Sequence, residues 1–449
     1  MNHMTFPTPP TASIYTLGCR LNQADTALMI DNLRRKGFTI RPWRRPADLL
    51  VVNSCVVTST AGQKTRQTLR AARRRCPNAF IVLAGCSAVT DVDFWRREAA
   101  VDMVVPNGVK TALTDLLPHD LKRPDHPICV PAGSWPQSDA LFTEPGTGLP
   151  ERRTRANLKV QEGCDFFCSY CIVPHARGRP RSRAWEDVLR EAEALVENGC
   201  RELVVTGVNI TTYQDRGRRL PDLLEALVEL PGDFRVRLSS TEPGPVLPEI
   251  IQCMACHPDK ICRSLHLALQ YGEDRILQAM NRRYSVEAYA QTAQHALKFL
   301  PDLCLSSDII AGFPGETQAS FAVCLDTVQR LPFAFLHVFT YSRRPGTPAA
   351  DFPDQVAGDV AAERARVLKD VGTTKSLNFA RRHVGKELRV LVEKNDRGHL
   401  EGWSGNYLRV RIDSEDPSIG INQFVTTISQ DVLAPRLLRG VPAGLETGG

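Results

Sequence analysis

Cys164, Cys168 and Cys171 stand in the run GCDFFCSYCIVP, a C-x3-C-x2-C spacing with Tyr170 just before the last cysteine, Gly163 before the first and Pro174 after. Three thiolates this close in sequence can each hold one iron of a [4Fe–4S] cube, and no fourth ligand sits nearby. The fourth iron then stays open to a substrate or cofactor, as a catalytic metal site keeps a free position. Closely spaced cysteines in a non-secreted chain favour metal or redox chemistry over a disulfide. Three more cysteines are dispersed: Cys19 after YTLG, Cys55 after VVNS and Cys86 after VLAG. Each closes an apolar, β-branched run, so each is delivered to the carboxyl end of a strand, where open α/β sheets bind ligands. Together they make a second candidate ligand set. Cys76 and Cys129 lack that placement, and Cys200, Cys262, Cys304 and Cys324 have no ligand-like spacing; all six are read as ordinary thiols.

The elements that position these residues fall into three stretches. SIYTLG, DLLVVNSC, FIVLAGC and VDMVV read as strands, with TALMIDNLRRKG and a basic helix from Lys64 to Cys76 as crossovers. That alternation predicts an α/β, doubly wound parallel sheet over residues 1–130. Residues 131–150, rich in Pro, Gly and Ser, read as a linker. From 151 to 380, KVQEGC, ELVVTGVN, RVRLSS, SLHLALQ, LSSDIIAGFPGE and FLHVFTYS alternate with helices such as WEDVLREAEALVENGC, the pattern of a partial (β/α) barrel. From 381 to 440 the helical pattern gives way to about five short strands, predicting a small antiparallel β-barrel of the kind that binds single-stranded nucleic acid. There Trp403 and Tyr407 are candidates to stack on bases or to fill the barrel.

At 449 residues the chain holds enough apolar sequence for three such units. No signal peptide or membrane-spanning run is readable, and fourteen cysteines without an export signal point to a reducing cytoplasm. The net charge of +6 is concentrated in residues 1–150, which carry 18 Lys and Arg against 12 Asp and Glu. The basic run Lys64, Arg66, Arg70, Arg73, Arg74, Arg75 is either a polyanion contact or a solvated helix face, with the solvated face favoured. Cys253-Met254-Ala255-Cys256-His257 matches the c-type haem pattern but is set aside, because haem attachment requires export.

The chain resembles the methylthiotransferases of the radical S-adenosylmethionine (SAM) superfamily. The resemblance is carried by TLGCRLNQADT, VVNSCVVTSTA, VLAGCSA, GCDFFCSYCIVPHARGRPRSR, LVVTGVNI, RVRLSSTEP, ILQAMNRRY, DIIAGFPGET and FTYSRRPGTPAA. It implies an N-terminal methylthiotransferase domain, a radical SAM partial barrel and a C-terminal TRAM domain that binds RNA. It implies two [4Fe–4S] clusters, one on Cys164, Cys168 and Cys171 and one on Cys19, Cys55 and Cys86, with SAM as the second cofactor. Reductive cleavage of SAM at the first cluster yields a 5′-deoxyadenosyl radical; the second cluster carries the sulfur that is inserted. Gly207, Asn209 and Ser239, with the Gly312 turn, are the implied SAM-pocket residues, and no protein group is implied as catalytic.

The Val-Thr continuation after Cys55 resembles the branch acting on N6-threonylcarbamoyladenosine at position 37 of tRNA. Isopentenyl-adenosine tRNA and a ribosomal-protein aspartate are the rival substrates, and a non-catalytic iron–sulfur RNA-binding redox sensor is the rival of another class. The implied partners are a tRNA anticodon loop and an electron donor such as flavodoxin or ferredoxin, with no membrane. Arg177, Arg179, Arg181 and Arg183 either approach RNA phosphate or pair with acids in the barrel, with a lean towards RNA for at least one. Two departures stand out. Ser54 replaces the usual Thr, and HLALQYG carries Ala268 and Tyr271 where the family has Pro and Ser, a change expected either to narrow the pocket or to alter substrate contact.

Overall fold

The computed structural model describes residues 9–131, 141–144, 154–396, 399–414 and 416–443. Six parallel strands form the first sheet in the order Thr39–Ile40, Thr11–Thr16, Leu49–Ser54, Phe80–Gly85, Met103–Val105, Ile128–Cys129. Successive side chains of a strand point to opposite faces, and this sheet is covered on both. Leu49 and Val51 join Met29 and Leu33 of helix Arg20–Arg35 on one face. Leu50 and Val52 join Leu69 and Ala72 of helix Ser59–Arg75 on the other. The sheet is therefore doubly wound, as expected. Its strand order reverses between Thr11–Thr16 and Leu49–Ser54, a switch point that leaves a crevice at the strand ends. The basic helix is mostly tied to its own domain: Arg70 pairs with Glu98, Arg73 with Asp102, and Arg75 donates to the Trp43 carbonyl.

Apart from residues 131 and 141–144, the 131–150 segment lies outside the described residues. Phe142 and Glu144 are built into the middle unit: the Phe142 N–H donates to Ser182 O at 3.0 Å, and buried Glu144 pairs with Lys159 at 2.7 Å. The middle unit is a run of parallel strands: Arg155–Lys159, Glu202–Thr206, Arg235–Leu238 continued by Ser240–Thr241, Ser264–Leu267, Cys304–Ala311 and Phe335–Thr340. The ladder is interrupted at Ser239, dividing it into three- and four-stranded sheets. Among the described residues the two outer strands, Arg155–Lys159 and Phe335–Thr340, do not pair, so the barrel is open. Helices cover its convex side, each apolar face packed on the strands. Capping fixes their starts: Ser285 Oγ accepts from Ala288 N, and Thr317 Oγ1 from Ser320 N.

A 24-residue helix, Gly358–Arg381, leads into a closed barrel of Glu387–Asp396, His399–Ser404, Arg409–Ile412, Leu437–Pro442 and Phe424–Ala434. This is the small antiparallel barrel expected, with one parallel pair, Arg409–Ile412 beside Leu437–Pro442. Five strands closed in a ring cannot alternate direction throughout, so one parallel pair is a geometric necessity. Leu400 and Ser404 point inward while Glu401 and Trp403 point outward, so Trp403 does not fill the barrel.

Candidate functional site

Cys19, Cys55 and Cys86 converge at the switch-point end of the first sheet. Cys19 immediately precedes helix Arg20–Arg35, Cys55 follows strand Leu49–Ser54, and Cys86 opens the turn after Phe80–Gly85. Asn22 ties the first two loops by donating to Leu17 O at 2.7 Å and to Ser54 O at 2.9 Å. The Ser54 hydroxyl ties the second to the third, donating to Ala84 O at 2.7 Å and accepting from Ser87 N at 3.1 Å. The Ser-for-Thr exchange thus keeps the hydroxyl that holds these loops. Gly18 has φ +109°, and a Cβ there would stand 2.7 Å from that of Cys55; only glycine lets the loops approach. The Asn107 amide reaches Cys86 Sγ at 3.3 Å.

The other triad sits on a loop between Gly163, φ +75°, and the short helix Val173–Arg177. The Arg282 guanidinium, nearly fully buried, donates to Cys168 Sγ at 3.1 Å and forms an ion pair with Glu242. It also donates to Tyr284, whose hydroxyl donates to Ala268 O at 2.6 Å. Two quoted segments, RLSSTEP and MNRRY, therefore meet at the cluster loop through residues that the sequence did not single out. Burial pushes the Cys164 thiol up to about 11 and, with Cys168 beside it, the Cys171 thiol up to about 12. Burial, reinforced by Cys86 and Cys19, likewise holds Cys55 at about 11. These thiols keep their protons at neutral pH until a metal displaces them.

Both triads suit a multi-iron cluster. In neither do all three Sγ atoms lie within 4.8 Å of one another. A single tetrahedral ion would need sulfurs about 3.8 Å apart, from a metal–sulfur bond of about 2.3 Å. Among the described residues none of the fourteen cysteines is paired in a disulfide.

Beneath the dispersed triad lies a buried charge network that joins the first two units. Asp25 accepts from Lys110 at 2.6 Å, Lys159 at 2.9 Å and Arg177 at 3.2 Å; Glu162 accepts from Lys159 at 2.9 Å and Arg177 at 2.7 Å. Burial alone would raise the Asp25 pKa, but the three cations hold its carboxyl well below the usual range. Arg181 joins Glu162, and Arg183 pairs with Asp187 and Glu191. Of the four arginines for which RNA phosphate was a candidate, three are buried on acids and Arg179 is the exposed one.

A cavity of about 610 Å³ brings the three units together. Its wall includes Cys19, Cys55 and Cys86, then Thr206, Gly207, Ser239, His266, Asp308 and His337 of the middle strands, then Tyr407 and Arg436 of the barrel. His266 Nε2 lies 3.2 Å from Asp308 Oδ2, and burial pulls the pKa of His337 down, keeping it neutral at pH 7. Gly207 packs on Gln161, whose Oε1 accepts from Val208 N and Asn209 N at 2.9 Å each. Ser239 Oγ, in this wall, and Asn209 Nδ2, behind it and not part of it, are both buried without a hydrogen-bond partner. Gly312 is not in this wall. It has φ +78°, a Cβ there would overlap that of Ala361, and its N–H donates to Glu316. Tyr271 does not narrow the cavity either: it is fully buried in the core behind the strands. Cys168 and Cys171 border a separate cavity of about 390 Å³ with His175 and Thr347. Cys253 and His257 lie on the outer helices beside Glu225, whose Oε2 is 2.7 Å from His257 Nε2.

Comparison with known proteins agrees with this architecture. Residues 158–328 match the radical SAM superfamily, and residues 11–106 match the uncharacterized protein family UPF0004. The chain is 34% identical over 394 residues to threonylcarbamoyladenosine tRNA methylthiotransferase MtaB of Aquifex aeolicus, covering 86% of this chain and 94% of that one. It is 32% identical over 423 residues to the Bacillus subtilis protein of the same name, covering 91% and 92%. It is 34% identical over 417 residues to tRNA-2-methylthio-N(6)-dimethylallyladenosine synthase of Cereibacter sphaeroides, covering 91% and 93%. Among solved structures, the radical SAM methyltransferase TsrM of Kitasatospora setae shares the fold, with a TM-score of 0.53 at 15% identity over 76% of this chain and 75% of that one. Among the described residues no helix is long and apolar enough to cross a membrane. Two domain matches in the expected order and full-length relatives at about one-third identity identify the chain as a member of the radical SAM methylthiotransferase family.

Proposed function

We propose that this chain transfers a methylthio group to C2 of N6-threonylcarbamoyladenosine at position 37 of tRNA. The observation that carries the reading is the shared cavity: one wall is a cysteine triad able to hold a sulfur-bearing cluster, the next is the radical SAM sheet, and the third belongs to the barrel. A nucleotide borne on RNA that the barrel grips would meet the dispersed cysteine triad and the strand ends of the radical SAM sheet in one pocket, with Cys168 and Cys171 bordering the other cavity, and an anticodon loop offers splayed bases for that. Cys164, Cys168 and Cys171 would hold the radical SAM cluster, and Cys19, Cys55 and Cys86 a second one. When bound, cluster and SAM supply one-electron chemistry able to open an unactivated C–H bond, which no side-chain acid or base does.

The protein's own residues bind, orient and exclude water. Ser239 offers its free hydroxyl to SAM beside Gly207 in the cavity wall, and Asn209 holds the loop behind them through Thr211. Arg282 donates to Cys168 Sγ and so orients that side chain on the cluster loop. Tyr407 presents a ring to a base, and electrons arrive from a flavodoxin- or ferredoxin-type donor. Support for the threonylcarbamoyl substrate comes from the Val-Thr continuation after Cys55 and from relatives bearing that substrate in their names. Phe335 and Phe339 give the same cavity an apolar strip that suits a dimethylallyl group, the second reading.

Mass spectrometry of tRNA nucleosides from cells lacking the gene, and from complemented cells, tests the choice. Loss and recovery of 2-methylthio-N6-threonylcarbamoyladenosine is the expected result; loss of the dimethylallyl form instead would transfer the assignment. An unchanged profile would point to the ribosomal-protein aspartate. In reconstituted protein, replacing Cys164, Cys168 and Cys171 with Ala should abolish SAM cleavage. Replacing Cys19, Cys55 and Cys86 should spare it and abolish sulfur insertion. A wild-type protein unable to cleave SAM would return the redox-sensor reading.

A further inference from the structure

Arg436 occupies an unusual position for an arginine. It is the second corner of the Pro435–Arg436 turn between strands Phe424–Ala434 and Leu437–Pro442, with φ +58°. Glycine or asparagine ordinarily fills a corner with positive φ after proline, because a larger side chain there is strained. Strain of this kind persists where the surrounding structure or the function holds it. The side chain lies over the Phe335 ring, 3.8 Å from its centroid, and forms part of the cavity wall. Among the described residues it makes no ion pair and no side-chain hydrogen bond.

Its neighbours leave it that way. Among the described residues Asp308 is the one carboxylate in the cavity wall, and it is engaged by His266. Arg409 is held by Glu401 at 3.4 Å, and Arg20, also in the wall, donates only to the Tyr407 hydroxyl. The wall therefore carries Arg20, Arg177 and Arg436 against a single acid, and Arg177 is already spent on Asp25 and Glu162. Three guanidinium groups lie at the Tyr407 ring: Arg237, 4.3 Å from its centroid, is paired with Glu202, whereas Arg20 and Arg436, at 5.9 and 6.0 Å, have no carboxylate partner among the described residues. A half-buried guanidinium without a counter-charge favours an incoming anion that accepts its fork of N–H donors.

We propose that Arg436, assisted by Arg20, is the receptor for a carboxylate on the substrate nucleotide, and that it selects the threonylcarbamoyl over the dimethylallyl side chain. This rests on the substrate reading above. The threonyl carboxylate is the anion that distinguishes the two nucleotides; a dimethylallyl group would leave Arg436 desolvated and unpaired. The same guanidinium chemistry would also suit an RNA phosphate, which every tRNA carries, so the test must separate the two.

The experiment uses reconstituted full-length protein and anticodon stem-loops bearing threonylcarbamoyladenosine, its neutral methyl ester, or plain adenosine at position 37, with a dimethylallyladenosine stem-loop as the check on the substrate reading. Arg436→Gly suits it because glycine relieves the positive φ and the turn should form as well as before; Arg436→Lys retains the charge without the fork. Wild type should bind the acid about 10- to 100-fold more tightly than the ester, the range of a hydrogen bond to a charged group. Arg436→Gly should bind the two alike, with affinity for the plain stem-loop unchanged, and Arg436→Lys should fall between. Equal loss on all three RNAs would assign the group to phosphate and overturn the proposal, as would discrimination that survives in Arg436→Gly or is absent from wild type. Methylthiolation of the dimethylallyl stem-loop alone by wild type would instead overturn the substrate reading, and this one with it.

Discussion

A methyl group added at Gly163 would overlap the carbonyl of Arg179, and its φ of +75° already disfavours any side chain. The short strands that bracket the cluster loop, Gln161–Glu162 and Arg181–Ser182, pair antiparallel beside this contact, so the loop carrying Cys164, Cys168 and Cys171 closes only with glycine. Gly217 has a similar φ, +86°, but open space around it. Gly163→Ala should therefore cut the iron retained per chain by about half after reconstitution, leaving the dispersed triad loaded. Gly217→Ala should cost only about 1 kcal/mol through its backbone and retain full iron. Equal iron content in the two variants would show that the close approach does not govern cluster binding. At this scale the sequence was most informative about where the cysteines fall and least about their neighbours. All six cysteines stand where their spacing and strand ends put them. Arg282 and Glu242 were invisible, because nothing in a lone Arg or Glu tells which distant loop it will meet.

Strand Glu202–Thr206 begins with a carboxylate that is wholly buried. Glu202 accepts from Arg235 Nε at 2.6 Å and from Arg237 Nε at 2.7 Å. These guanidinium groups donate onward to the carbonyls of Trp403, Ser404 and Gly405 in the barrel, at 2.8, 3.1 and 3.0 Å. Arginines two apart on a strand share a face, so RVRLSS carried this signal, but the strand reads equally well as any polar-edged one. The parallel pair in the barrel was hidden for another reason: the closing strand Leu437–Pro442 pairs across a long sequence gap, which local patterning does not report. Glu202→Gln would leave two buried guanidinium charges facing a neutral amide, and breaking such a pair costs about 3–5 kcal/mol. The expected result is a lower melting temperature and faster proteolytic release of the barrel, with the cysteine-bearing sheets still protected. A barrel as protease-resistant as in wild type would show that its docking rests on apolar contact instead.

Across the whole molecule, of the four arginines weighed between RNA phosphate and barrel acids, Arg177 belongs to the seam between the first two units, and the reason is its partners. Asp25 in RLNQAD and Glu162 in KVQEGC are far apart in sequence, and only folding brings them to Arg177 and Lys159. Because Arg177 follows the C-x3-C-x2-C loop by six residues while Asp25 follows Cys19 by six, the seam also fixes one cysteine triad relative to the other. Asp25 and Glu202 are both held below the usual carboxylate range, each by cations that outweigh burial. A depressed carboxyl contributes stability that is present above its unfolded value of about 4 and lost as pH falls towards its folded one. The protein should therefore lose melting temperature steadily between about pH 5 and pH 3 while the slope above pH 6 stays shallow. Asp25→Asn removes one of these carboxyls and leaves Lys110, Lys159 and Arg177 short of a counter-charge, at a cost of about 3–5 kcal/mol at pH 7. Its melting temperature should then fall less steeply than wild type's on acidification, so the two curves converge below pH 4. Parallel curves would mean that Asp25 does not change its proton affinity on folding, and the seam would have to be held by packing alone.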